Sequence, residues 1–204
     1  DDQRQLQLRA SGAYTANFRQ DAKDIQSLTA LYLDYSDSEL DVSARVGRQT
    51  RNSAGVLGRF DGALLSWAVQ PNVALNLVGG FPVLRSRQME VLTQRPFYGA
   101  SIDLGARRSP ISGTVYWFDQ RAPGGFIDRQ AVGFETRVLL PRFNAFSIID
   151  YDVKYGELNL GLLSMTYSFP DTSSLSVTAD YRQSPLLTTH NALVGQSYLD
   201  TLLP

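Results

Sequence analysis

Residues 39–49, which read Glu-Leu-Asp-Val-Ser-Ala-Arg-Val-Gly-Arg-Gln, alternate between apolar and polar side chains. Leu40, Val42, Ala44 and Val46 take every second position, and charged or small polar residues separate them. Successive side chains of a β-strand point to opposite faces, so this stretch predicts a strand with one apolar and one polar face. The same period of two returns about eleven times along the chain, and no stretch keeps a helical period. The sequence therefore predicts an all-β protein built of two-faced hairpins.

The connections between the predicted strands alternate in length. Pro, Asp, Asn and Ser, the residues that tight turns favour, occupy the short connections at 37–38, 70–72, 108–110, 141–144 and 170–171. Longer connections are predicted at 20–26, 52–55, 84–95 and 122–126, and the tight turn at 155–156 breaks the series. The predicted strands themselves cover 5–19, 27–36, 39–51, 57–69, 73–83, 96–107, 111–121, 127–140, 145–154, 157–169 and 173–183. Long loops gathered at one end are typical of outer-membrane β-barrels.

Composition narrows the possible functions. The chain has 204 residues, 43% of them hydrophobic, which is enough for one substantial all-β domain. Its 19 basic and 20 acidic residues leave a net charge of −1, so no basic field is available for nucleic acid. Cysteine is absent, which fits an oxidising envelope compartment. A run of about 18 apolar residues, as a transmembrane helix requires, does not occur. This excludes a transmembrane helix but does not exclude transmembrane strands.

The amphipathic hairpins resemble those of Gram-negative outer-membrane β-barrels. The resemblance is carried by Ser27–Thr50 with its Asp37-Ser38 turn, by Val132–Leu140 and by Leu175–Arg182. Three shorter blocks are similar to barrel regions of large proteobacterial envelope or export proteins, some of which carry helical tetratricopeptide repeats before the barrel; they lie at 59–62, 149–152 and 184–189. The resemblance implies a porin-like, antiparallel up-and-down transmembrane β-barrel in the bacterial outer membrane.

Two features depart from that class and shape the predicted domain organisation. Such barrels usually end in a strand that closes with Phe or Trp, but this chain ends at Pro204. Bacterial single-chain barrels also have an even number of strands, whereas the predicted number is odd. We therefore expect residues 1–183 to be a segment of a larger barrel, completed by further strands or by other copies. Residues 184–204 are expected to form a loop or tail that can include a helical turn.

The two faces of the strands have different predicted roles. If lipid covers the apolar face, the polar face lines a lumen, and its mixed charges should form cross-strand ion pairs; in a soluble barrel the two faces would be exchanged. The predicted lumen-lining residues are Arg9, Asp41, Arg45, Arg59, Asp61, Asp103, Arg107, Glu135, Arg137, Asp150, Asp152, Lys154, Asp180 and Arg182.

Aromatic residues collect near both ends of the predicted strands, as expected for belts at the two lipid–water boundaries. The belt near the short turns comprises Tyr35, Trp67, Phe143, Phe146, Tyr167 and Phe169, and the other comprises Phe97, Tyr98, Tyr151 and Tyr181. One strand, 111–121, is apolar on both faces, because Val115 and Trp117 alternate with Tyr116 and Phe118. Either a loop or helix covers its inner side, or an aromatic belt begins there.

Candidate chemical sites are few. His190 is the only histidine in the chain, so neither a metal site nor the catalytic histidine of an outer-membrane hydrolase is predicted, and the protein is not expected to be an enzyme. Acidic residues between positions 150 and 157 can bind a divalent cation through oxygen ligands, but ordinary lining paired with basic residues is the favoured interpretation. Arginines at 45, 48, 51, 59 and 107 are expected to be neutralised by Asp41, Asp61 and Asp103 at matching depths.

The predicted function is a passive polar conduit or an envelope anchor, with the lipid bilayer as partner and no cofactor. Other envelope proteins or further strands of the same barrel are the other expected partners, and nucleic acid is not. Three alternatives stay open: the barrel of an export system, for instance for a polysaccharide; a structural, plugged barrel within an envelope machine; and a soluble β-domain that binds an apolar ligand.

Overall fold

The computed structural model describes residues 3–16, 24–84, 89–105 and 109–183. These residues form strands and connections, with no helix among them. The strands are β1 (Arg4–Thr15), β2 (Ile25–Asp37), β3 (Val42–Ser53), β4 (Val56–Gln70), β5 (Val73–Pro82), β6 (Phe97–Leu104), β7 (Ile111–Arg121), β8 (Ile127–Leu140), β9 (Phe143–Asp152), β10 (Glu157–Ser168) and β11 (Ser174–Arg182).

The 11 strands make one sheet in chain order, and each pairs antiparallel with the next. The prediction of an all-β chain with antiparallel up-and-down strands is confirmed. The sheet is open, because β1 and β11 have no second strand partner among the described residues. The predicted tail at 184–204 lies outside the described residues.

Successive connections lie at opposite ends of the sheet. The connections β2–β3, β4–β5, β6–β7, β8–β9 and β10–β11 define the turn end, and the other five define the loop end. The longest connection, at 83–96, is at the loop end, as predicted. The predicted long connection at 52–55 is wrong: β3 and β4 are joined by the two residues Ala54 and Gly55, with φ of 52° and 79°. Positive φ at both central positions is the geometry of a tight type I′ hairpin turn.

Cross-strand partners share a face of the sheet, so the register assigns two faces. The outer face carries exposed apolar side chains and includes the partners Val46 and Ala63 and the partners Trp117 and Val132. The inner face carries Arg45, which directly precedes Val46 on β3, and most of the buried side chains. Residues from β2 to β8 line a single cavity on this face, so the sheet curls around it.

A small apolar core lies on the inner face rather than the outer one. Phe60 packs edge-to-face on Phe97 with ring centroids 5.2 Å apart, and Phe97 packs at a tilt on Phe118 with centroids 5.4 Å apart. Val56 and Val78 complete the buried cluster. Since Phe97 and Phe118 lie on β6 and β7 close to their loop-end termini, this core fills the inner side of the sheet at the loop end.

Candidate functional site

A hydrogen-bond ladder crosses the inner face from β4 to β7. The Ser66 hydroxyl donates to Asn76 Oδ1 at 2.6 Å, and Asn76 Nδ2 donates to Asp103 Oδ2 at 2.8 Å and to Ser101 Oγ at 3.2 Å. The Thr114 hydroxyl then donates to the other oxygen of Asp103 at 2.7 Å. Both oxygens of Asp103 therefore accept from neutral donors, and the Asp103 charge also interacts with the guanidinium of Arg51.

A second, deeper network surrounds Asp150 on β9. Its Oδ2 accepts hydrogen bonds from Arg129 Nη2 at 2.6 Å and from the Tyr116 hydroxyl at 2.7 Å, and its Oδ1 accepts one from Asn159 at 3.2 Å. All four side chains are buried. A charged pair this deep is tolerable because almost every polar atom has a partner, although Arg129 Nε and Asn159 Oδ1 have none in the described part.

The Ala54–Gly55 turn lies against this network. Its Ala54 amide donates to Glu135 Oε1 at 2.7 Å, and Arg129 Nη1 donates to the Gly55 carbonyl at 2.7 Å. A side chain on Gly55 would meet Phe118 Cβ at 2.8 Å and the ring of Tyr116 at 3.1 Å. The turn thus covers the inner side of β7. β7 was predicted to be apolar on both faces, and its inner-face residues Tyr116 and Phe118 are covered by the connection between β3 and β4.

An open polar cavity of about 1170 Å³ occupies the turn-end half of the inner face. Hydroxyl, amide and charged side chains dominate its lining, including Ser43, Arg51, Asp103, Thr114 and Arg137. Such a space can admit water and polar solutes, and its mixed charges give it no strong preference for either sign.

Most of the predicted lumen-lining residues share the inner face. The register places nine of them there: Arg9, Arg45, Asp103, Glu135, Arg137, Asp150, Asp152, Asp180 and Arg182. Asp41 and Lys154 lie in connections, and Arg107 lies outside the described residues. That these side chains line a lumen stays a prediction.

Arg59 and Asp61 contradict the predicted face. Asp61 is the cross-strand partner of Arg48, two residues along from the outer-face pair Val46 and Ala63, and Arg59 follows the same parity on β4. Their charge suggested the polar face, although the strand period groups them with the apolar residues that follow on β4. The predicted neutralisation holds for Asp61, whose two oxygens accept from Arg48 at 2.7 Å each.

The remaining ion pairs differ from those expected for the arginine series. Arg45 pairs with Asp34 on the neighbouring strand β2 rather than with Asp41, Asp61 or Asp103. Asp152 accepts from the backbone amides of Lys154 and Tyr155, at 2.8 and 3.0 Å, and so shapes the β9–β10 turn. Groups of three or more acidic or histidine side chains close enough to hold a metal ion are not found in the described ranges.

The predicted aromatic residues divide between the two faces. Phe97 belongs to the inner-face core, and Phe146 is the cross-strand partner of Arg137 on the same inner face, so both contradict the predicted belts. The register or chain position puts the others on the outer face or in a connection: Tyr35, Trp67, Tyr98, Phe143, Tyr151, Tyr167, Phe169 and Tyr181. Their position at lipid–water boundaries stays a prediction.

Sequence reasoning missed the two hubs of the inner face, Arg129 and Asn76. Arg129 has the same parity as Glu135 and Arg137 on β8, so the strand period contained the signal. Asn76 stands among the aliphatic residues of β5, and only its parity with Val78 would have assigned its face. Nothing local indicated that Phe60 and Phe118, distant in sequence, would meet in a core.

Neither the protein-family models nor the curated proteins include a match to this chain. In the described residues, no helix is long and apolar enough to cross a membrane.

Proposed function

We propose that this chain forms part of an outer-membrane β-barrel and provides a polar conduit or an envelope anchor. One observation carries the proposal: the distribution of side chains is inverted relative to a water-soluble protein. Buried polar and charged side chains outnumber buried apolar ones among the described residues, while Leu65, Leu77 and Trp117 on the outer face are 41–57% exposed. An outer face with many neighbouring exposed apolar side chains usually contacts a membrane or another protein.

Strand length supports a membrane span. The strands run from 8 residues in β6 to 15 in β4. A tilted transmembrane strand needs about 9–11 residues to cross the hydrocarbon layer. The aromatic side chains of the outer face stand close to both strand ends, where an amphipathic ring is favoured by the headgroup region.

The two sheet edges add a requirement to the proposal. In hydrocarbon, each unpaired backbone amide or carbonyl costs several kcal/mol, so the free edges of β1 and β11 need partners. Since β1 and β11 run in the same direction, joining them directly would make a parallel pair in an otherwise antiparallel sheet. Further strands or other copies of the chain are therefore part of the proposed assembly.

The proposed conduit involves no covalent step. Solutes would enter the polar cavity at the turn end and be selected by the width and charge of its lining. An export barrel, including one for a polysaccharide, would use the same architecture with a different cargo. The expected partners are the lipid bilayer and other envelope proteins.

A second candidate function is a non-conducting anchor within an envelope machine. The specific observation in its favour is that the aromatic core and the Ala54–Gly55 turn occupy the inner side at the loop end. A barrel filled in this way holds its shape without passing solutes.

The two tryptophans of the chain provide the test, because Trp67 and Trp117 both lie on the outer face. We expect phospholipids with brominated acyl chains to quench the fluorescence of both residues in reconstituted protein. The single-tryptophan variants Trp67→Phe and Trp117→Phe separate the two signals.

The opposite result has a clear meaning. A protein that stays in buffer without detergent, with emission that brominated lipid does not quench, would contradict the membrane proposal. It would favour the soluble β-domain with an apolar ligand instead.

A further inference from the structure

The end of the β3–β4 hairpin leaves the sheet. β3 pairs with β2 only as far as Arg48, and β4 begins its register with β5 at Phe60. In between, residues 49–53 of β3 have cross-strand partners only in β4, and residues 56–58 of β4 have partners only in β3. We call residues 49–58 the hairpin tip. β2 continues to Ile25 without pairing to the tip, and β5 has no register partner in it, so the tip is able to bend away from the wall of the sheet.

One backbone feature marks where the bend begins. Gly58 has φ of +123°, a conformation that residues with a side chain rarely adopt, and a Cβ at this position would meet nothing within 4 Å. The glycine is therefore needed for the backbone path and not for space. Gly47 in the paired part of β3 has a similar φ of +125°, so the bend is shown by the contacts of the tip with β8 rather than by this φ.

The bent tip is held on the inner face of β7 and β8 at three places. Glu135 accepts the Ala54 amide, Arg129 donates to the Gly55 carbonyl, and Val56 joins the aromatic core. The two hydrogen bonds each involve an ionised group, and such bonds are stronger than neutral ones. Ala54 and Val56 keep only 3% and 4% of their surface exposed, so water does not compete for these contacts.

The tip also divides the inner side of the sheet. Arg51 and Ser53 at its base line the polar cavity, which extends to the turn end. Gly55 at its apex lies against Phe118, within the apolar core at the loop end. A solute that entered the cavity would therefore meet the tip before it reached the loop end.

We propose that the hairpin tip is a latch that closes the polar interior at the loop end, and that its release opens a continuous path. This inference rests on the proposed membrane function, because a path matters only if the sheet encloses a conduit. Release breaks the contacts of Ala54 and Gly55 with β8 and moves Val56 out of the core. The sheet itself is preserved, since no other strand pairs with residues 49–58.

The test combines conductance with backbone hydrogen exchange in the full-length protein. Glu135→Ala removes the acceptor of the Ala54 amide, whereas Glu135→Gln keeps an acceptor oxygen at the same place. Gly58→Ala opposes the bend without touching any contact of the tip. Glu39→Ala, in the exposed β2–β3 connection, is the control for loss of one carboxylate.

We expect Glu135→Ala and Gly58→Ala to raise single-channel conductance several-fold in planar bilayers and to speed exchange of the Ala54 amide. Glu135→Gln and Glu39→Ala should match the wild type in both measurements. Unchanged tryptophan emission would show that each variant is folded.

Two results would overturn the latch. If exchange at Ala54 is unaffected by Glu135→Ala, the carboxylate does not hold the tip. If exchange rises but conductance stays at the wild-type value, the tip does not close a path. Failure of the membrane function is distinguishable, because brominated lipid would then leave Trp67 and Trp117 unquenched while the exchange measurement still reports on the tip.

Discussion

Arg129 donates a 2.7 Å hydrogen bond to the carbonyl oxygen of Gly55, 74 residues earlier in the chain. The same guanidinium pairs with Asp150 at 2.6 Å, and both charged side chains are about 5% exposed. Through these contacts a hairpin turn from one part of the sheet is tied to the opposite wall. Arg129 thus joins the turn at Gly55 to β8 and β9, beside the contacts of Ala54 with Glu135 and of Val56 with the core.

Replacing Arg129 should be costly for stability. Arg129→Met leaves the buried Asp150 carboxylate with only neutral donors, and breaking a buried ion pair typically costs about 3–5 kcal/mol. We expect a corresponding fall in the free energy of unfolding, measured by urea titration of the detergent-solubilised protein through tryptophan fluorescence. Arg182→Met is the matched control: Arg182 and Asp180 are 61% and 41% exposed, so its effect should stay at about 0–1 kcal/mol. Equal losses in the two variants would contradict the structural role of Arg129.

Gly55 should be intolerant of a side chain for two separate reasons. Gly55→Ala places a methyl group 2.8 Å from Phe118 Cβ and also strains a residue with φ of +79°. Gly125→Ala has nearly the same φ, +82°, with nothing within 4 Å, so it reports the backbone strain alone at about 1–2 kcal/mol. We expect Gly55→Ala to lose a further amount of about 1–3 kcal/mol from overpacking, in the same urea titration. A loss no greater than that of Gly125→Ala would mean that the turn is not packed on β7.

Asn76 should contribute measurably to the free energy of unfolding although its side chain is neutral. Asn76→Leu removes the acceptor of Ser66 and one donor to Asp103, and each such part-buried hydrogen bond contributes about 0.5–1.5 kcal/mol to stability. Asn144→Leu, on the exposed part of β9, is the control and should change the free energy of unfolding by less than about 0.5 kcal/mol. If the two substitutions have the same effect, the ladder across β4 to β7 contributes nothing.

The Arg48–Asp61 pair should behave as a buried pair despite its place on the outer face. Arg48 is 4% exposed, and its Nη2 also approaches the Met89 carbonyl at 3.4 Å, so the segment after residue 88 covers it. Asp61→Ala should destabilise the protein by about 1–3 kcal/mol, since it removes the carboxylate that accepts two hydrogen bonds from the buried guanidinium. Asp180→Ala, which removes the exposed partner of Arg182, is the matched control. Thermal unfolding followed by circular dichroism would separate a large shift for Asp61→Ala from a negligible one for Asp180→Ala.

Particular residues show which parts of the fold the sequence pattern predicts correctly. The alternation in β3 and β11 predicted strands with the observed faces, because a period of two follows from backbone geometry alone. The face of Arg59 and Asp61 was predicted wrongly. Their charge suggested the polar face, but Asp61 pairs with Arg48, and this register puts both residues on the outer face. The turn at Ala54–Gly55 was predicted as a longer connection, because alanine followed by glycine is not among the residue pairs that indicate a type I′ turn.

The sequence by itself determined the all-β class, the antiparallel hairpin order and the face of most charged residues. These are local properties, since each strand expresses its own period and each tight turn its own residue types. Only the tertiary structure decided that Phe60, Phe97 and Phe118 form a core on the inner face, that the hairpin tip bends onto β8, and that Arg129 joins Gly55 to Asp150. Those contacts depend on the curl of the whole sheet, which brings together residues far apart in the chain. The alternation of side chains within one strand carries no information about which distant strand it will contact.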